Sequence, residues 1–151
     1  MDRNRLLERL DGAWRAFRES YAGLSAARLT EPGVVGDWSV REVIAHVTTW
    51  EEEALKYLPL ILAGGRPPRY VRYGGIDAFN AQMREAKRAL STAEALRQLE
   101  ETHRRLTDFL GSVPEDELAG ETRFRRRLRL DTYGHYGEHA RAIREWRSGR
   151  W

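Results

Sequence analysis

Two histidines one helical turn apart, His135 and His139, are the residues of this chain whose types and spacing best suit chemistry. At about 100° per residue they fall on the stripe that also carries Ala142, Ile143 and Trp146, so both imidazoles are expected to face the core. A buried imidazole needs partners for its ring nitrogens, and a pair at i, i+4 can satisfy both rings on a single metal ion. Two core histidines bonded to backbone carbonyls or water would meet the same need.

The chain has four histidines in all, and a third, His46, lies at the edge of another apolar stripe. If the helices carrying these stripes are neighbours, the three imidazoles can converge. Three protein nitrogens around one divalent ion leave a position open for water or substrate, which is the arrangement of catalytic sites and not of closed structural ones. The fourth, His103, stands between charged residues such as Glu101 and Arg104, and reads as a surface residue. Glu138 completes a His-x-x-Glu-His string, formally the inverzincin pattern, although the peptidases bearing it use much larger mixed domains. Glu138 is either a base or supporting partner beside the ion, or a surface carboxylate pairing with Arg141 or Arg144. There is no cysteine, so any metal must be held by nitrogen and oxygen.

Four long helical segments must position these groups. From Met1 to about Leu24, the residues Leu6, Leu10, Trp14, Phe17, Tyr21 and Leu24 alternate in steps of four and three, the stripe of an amphipathic helix. A loop with Pro32, Gly33 and Gly36 follows. Ser39 with Glu42 forms a capping box that opens the second helix, whose stripe runs through Val40, Val43, Ile44, Val47, Trp50, Ala54, Leu58 and Ile61. Pro59 is expected to kink it or loosen its last turn. The breaker-rich stretch from Gly64 to Gly75 predicts a long loop, and such loops either cover sites or merely cross between helix ends. Phe79, Met83, Ala86 and Leu90 continue a helical pattern, which restarts at a second capping box, Ser91 with Glu94, and ends at Gly111. Residues 115–130 read as irregular, with one short extended piece, and the last helix begins near Asp131. The architecture implied is an all-α four-helix bundle. Trp50 and Tyr136 each lie within a turn of a proposed ligand and are the aromatic candidates for a substrate pocket.

With 151 residues, 41% hydrophobic and 32% charged, the chain suits one compact domain spanning 1–151. Its start lacks the apolar run of a signal peptide and no window is apolar enough to span a bilayer, so no membrane partner is expected and the cytoplasm is the expected location. The net charge of +3 does not argue for nucleic acid. One local run, Arg123-Phe-Arg-Arg-Arg-Leu-Arg129, could bind the carboxylates of an acidic thiol or phosphates. We read it instead as a solvated edge whose arginines pair with the acidic second and third helices.

The segment Trp38-Ser-Val-Arg-Glu-Val-Ile-Ala-His46, followed by His135-x-x-x-His139, resembles the DinB-like superfamily of four-helix bundles, also described as YfiT-like metal-dependent hydrolases. Gly75-Ile-Asp-Ala-Phe-Asn80 and the stretch from Tyr133 to Trp146 are similar to its ClbS/DfsB branch. The resemblance covers essentially the whole chain. It implies a metal site on His46, His135 and His139 for zinc, nickel or a similar divalent ion. It also implies a pocket role for Asn80, and bundles that often pair as homodimers. By family it implies hydrolysis of a reactive small molecule or transfer of a low-molecular-weight thiol; the alternative is a non-catalytic bundle that sequesters a toxic molecule, a stress or self-resistance protein. The chain reads Ala140-Arg141-Ala142 where many metal-bearing relatives show Arg-Gly-Gln, a departure that bears on the thiol-transferase subclass and leaves the ligand positions untouched.

Overall fold

The structure, a computed structural model, describes residues 2–149. Met1, with which the first helix was expected to begin, and the last two residues of the span expected for the domain lie outside them. The four long helices are α1 (Arg3–Tyr21), α3 (Val40–Leu62), α5 (Thr92–Leu110) and α8 (Tyr133–Arg147). Between them run α2 (Ala26–Leu29), α4 (Ile76–Ala86), α6 (Glu115–Leu118) and α7 (Arg123–Asp131), and there is no strand among the described residues. The all-α bundle expected from the periodicity is therefore the fold. Among the described residues no helix is long and apolar enough to cross a membrane.

The helices α1, α3 and α5 bury the stripes their sequences announce. Leu6, Leu10, Trp14 and Phe17 of α1 are buried against α8, while α3 packs along α5 and along α7. Both capping boxes form: Ser39 accepts from the Glu42 amide while Glu42 accepts from the Ser39 amide, and Ser91 with Glu94 does the same. Each box satisfies two amides that a helix start leaves without partners. Pro59 does not break α3. The helix passes it to Leu62 and closes through amides of Ala63 and Gly65 on the carbonyls of Pro59 and Leu60.

One expectation for the connections needs correction. The segment 115–130 is not irregular: it folds as α6 and then α7, an amphipathic helix that buries Phe124 and Leu128 against α3 and α8. Alternating arginines hid its period, because long charged side chains stood beside every buried position. The loop after α3 contains a 3-10 turn, Tyr70–Tyr73, which packs on α4 and carries Tyr70 into the site described next.

Candidate metal centre

His46 on α3 meets His135 and His139 on α8. The His135 Nε2 atom lies 3.0 Å from His46 Nε2 and 2.9 Å from His139 Nε2. One ring nitrogen from each of the three residues falls within 4.8 Å of the other two. The structure also moves the histidines off the stripe expected for them. The buried face of α8 is Tyr133, Tyr136, Ala140, Ile143 and Trp146, and the histidines stand beside it, half-buried and turned toward α3. That one-position offset is what brings them to His46 and not into the apolar core.

Burial fixes their charge state. Loss of hydration pushes His46 down to about 3, with the neighbouring His139 and Lys87 adding to the effect; it pushes His135 down to about 2 and His139 to about 4. All three rings are therefore neutral over the physiological range, the form that offers a lone pair to a metal. As bare rings they conflict, because the one His135 Nε2 faces two other Nε2 atoms and a neutral imidazole carries only one N–H. A central cation satisfies all three lone pairs together. Nitrogens on a tetrahedral ion at about 2.0–2.1 Å stand about 3.3 Å apart, close to the two spacings about His135, with the third pair within 4.8 Å. The donor set thus fits a divalent ion.

The histidines open on a cleft of about 270 Å³, lined by His46 and His135 together with Trp50, Tyr70, Asn80, Arg127 and Asp131. The Trp50 indole N–H donates to Asn80 Oδ1 at 2.9 Å, which fixes the amide and leaves its NH2 as the remaining donor. On the other wall, Arg127 donates through Nε to Asp131 Oδ2 at 2.7 Å and through Nη2 to the Tyr70 hydroxyl at 2.6 Å, and Tyr70 donates to Glu53 at 3.0 Å. Burial raises the Asp131 carboxyl to about 7 against the opposing pull of Arg127.

Of the pocket candidates, Trp50 and Asn80 line the cleft and Tyr136 does not. It is fully buried on the far side of α8, its hydroxyl 3.3 Å from His103 Nδ1, and it lines no part of the cleft. The side chain of Glu138 is exposed and is likewise absent from the cleft wall. His103 is not a surface residue. It is buried, stacked on Trp14 with ring centroids 3.6 Å apart and 2° between planes, and its Nδ1 is 3.1 Å from Glu51 Oε2. The steps Leu99, His103, Leu106, Leu110 carried that signal, overridden by charged neighbours in sequence. Tyr70, Arg127 and Asp131 were missed as cleft residues. The i, i+4 spacing of Arg127 and Asp131 was legible, but Tyr70 arrives from a loop that periodicity cannot place. Where pairing with the second and third helices was expected of these arginines, Arg127 turns inward to Asp131 and Arg129 reaches Glu121.

A model of the DinB superfamily matches residues 9–142. Similar solved structures include the sibling lethal factor precursor DfsB, 16% identical, covering 99% of this chain and 97% of that one with a TM-score of 0.81. They include the colibactin self-resistance protein ClbS in complex with double-stranded DNA, 15% identical over 97% and 95% with a TM-score of 0.82. A third is an uncharacterised protein from Escherichia coli UTI89, 13% identical over 98% and 94% with a TM-score of 0.78. At such identities the likeness is one of fold. No curated protein matches the sequence.

Proposed function

This chain belongs to the DinB superfamily, and from that premise we propose that it is a metal-dependent enzyme acting on a reactive small molecule, of hydrolase or thiol-transferase type. The observation that carries the reading is the meeting of three neutral imidazoles at the head of a cleft large enough for a ligand. His46, His135 and His139 would hold a divalent ion such as zinc or nickel, which when bound supplies Lewis acidity and lowers the pKa of a water or thiol toward neutrality. Three imidazoles also suit copper and iron.

The chain's own residues supply the rest. The Asn80 amide, held by Trp50, can donate to a substrate oxygen, and the Trp50 and Tyr70 rings give an apolar wall. Asp131 titrates close to neutrality and sits in the same wall, so it can take up or release a proton at its carboxylate while Arg127 holds it in place. This is the role the sequence offered to Glu138, whose exposed position favours Asp131 instead.

The test is elemental analysis of untagged protein. We expect one equivalent of a transition metal in the wild type and less than about a tenth of it in His46→Ala, His135→Ala or His139→Ala, with the helical circular dichroism retained. Full metal content in His46→Ala would sink this ligand set. A wild type that carries no metal and takes none up on dialysis would favour the second reading, a bundle that sequesters its ligand without turnover. A self-resistance protein among the similar folds makes that reading worth the measurement.

A further inference from the structure

Among the described residues five large hydrophobic side chains are exposed, and the three most exposed, Val71 at 74%, Leu130 at 70% and Ile76 at 55%, all line one groove. That groove measures about 600 Å³ and is continuous with the histidine cleft, sharing Tyr70, Ile76, Arg127 and Leu130 with it. Ligand sites typically occupy about 300–1,000 Å³. Its charge is of one sign: Arg69, Arg123, Arg126 and Arg127 line it and no carboxylate does. Arg127 is committed to Asp131 and Tyr70, whereas Arg123 and Arg126 give N–H groups to the carbonyls of Gly65 and Glu121, and Arg69 is exposed. A guanidinium has five N–H groups, so those backbone contacts leave donors over. Apolar side chains held in water beside cations with donors to spare are what a molecule with an apolar body and an acidic end would cover.

We propose that this groove binds an elongated small-molecule amphiphile bearing an anionic end, its apolar body on Val71, Ile76 and Leu130 and its acid on Arg69 and Arg126. Identifying that molecule as the substrate, with its reactive part reaching the histidines, rests on the metal-dependent reading; the binding itself does not. The groove would then select substrates by a part remote from the reacting bond, as remote binding energy commonly does.

The probe is dodecanoate below its micellar concentration, with dodecan-1-ol as the uncharged counterpart, titrated calorimetrically into chelator-treated protein. We expect one molecule of dodecanoate to bind, about tenfold tighter than the alcohol, and a loss of about tenfold or more in the Val71→Asp and Leu130→Asp proteins, both changes being on exposed side chains. Arg69→Glu with Arg126→Glu should erase the difference between acid and alcohol. Equal affinity for the two probes would overturn the proposal, as would binding indifferent to Leu130→Asp, or binding seen only with anionic vesicles or duplex DNA. Because the protein is metal-free, failure here leaves the metal centre standing. Conversely, histidine variants that keep their metal would remove the enzyme reading and not the groove.

Discussion

At the scale of single residues, the chain carries two polar clusters on opposite sides of α3, and they differ in what burial does to them. The histidine trio is deprived of charge and left with lone pairs to donate to a cation. Glu51 is the reverse case: fully buried, with Oε2 3.1 Å from His103 Nδ1 and with the Tyr136 hydroxyl as a second hydrogen-bonding neighbour of its carboxyl. Burial raises its carboxyl above the ordinary value of 4.5, so the folded state holds a proton that the unfolded chain releases as pH rises past that value. Stability from this group therefore declines with rising pH through the window above 4.5. Glu51→Gln is expected to gain on the wild type in melting temperature between pH 5 and pH 8 by differential scanning calorimetry; a constant offset across that range would refute it. Both Glu51 and His103 sit at apolar steps, 47, 51, 54, 58 and 99, 103, 106, 110, so their burial was readable from spacing once charge was set aside. Their pairing was not, because the two stripes lie on different helices.

At the scale of elements, the junction of α7 and α8 sets the position of two of the three proposed ligands. Thr132, with φ −129° and ψ −101°, breaks the helical path, and its amide and hydroxyl both donate to the Leu128 carbonyl. Gly134 is required just after it: a Cβ there would stand 2.9 Å from the Arg129 carbonyl oxygen, whereas one on Gly137 would meet nothing within 4 Å. Gly134→Ala should cost about 1–3 kcal/mol in denaturant unfolding and, by shifting His135, weaken metal binding in a chelator competition by about tenfold or more. Gly137→Ala, one turn along the same helix, should stabilise by about 0.5–1 kcal/mol and leave metal affinity unchanged. The Ser39 cap performs the matching service for His46 on α3. Ser39→Ala should cost about 1 kcal/mol, measured by the same unfolding curves, with Ser91→Ala similar on α5.

At the scale of the whole molecule, a metal ion would join α3 to α8 and so couple its binding to the fold. An ion present at 100 times its dissociation constant stabilises by about 2.7 kcal/mol, which for a domain of this size corresponds to a melting temperature higher by about 5–10 °C. Zinc or nickel added to chelator-treated protein should produce that rise, and His139→Ala should abolish it. The four long helices, the caps of α3 and α5, the apolar faces of α1, α3 and α5 and the three histidines as candidates were determined by the sequence alone, because helical period and capping act over a few residues. The resemblance to the DinB superfamily was legible for the same reason, in short runs of fixed order. Only the tertiary structure decided that α7 is a helix, that Tyr136 turns away from the cleft while Tyr70 and Asp131 enter it, and that His103 is buried on Trp14. Those placements depend on which faces meet between segments many residues apart, and periodicity along one helix contains no term for its neighbour.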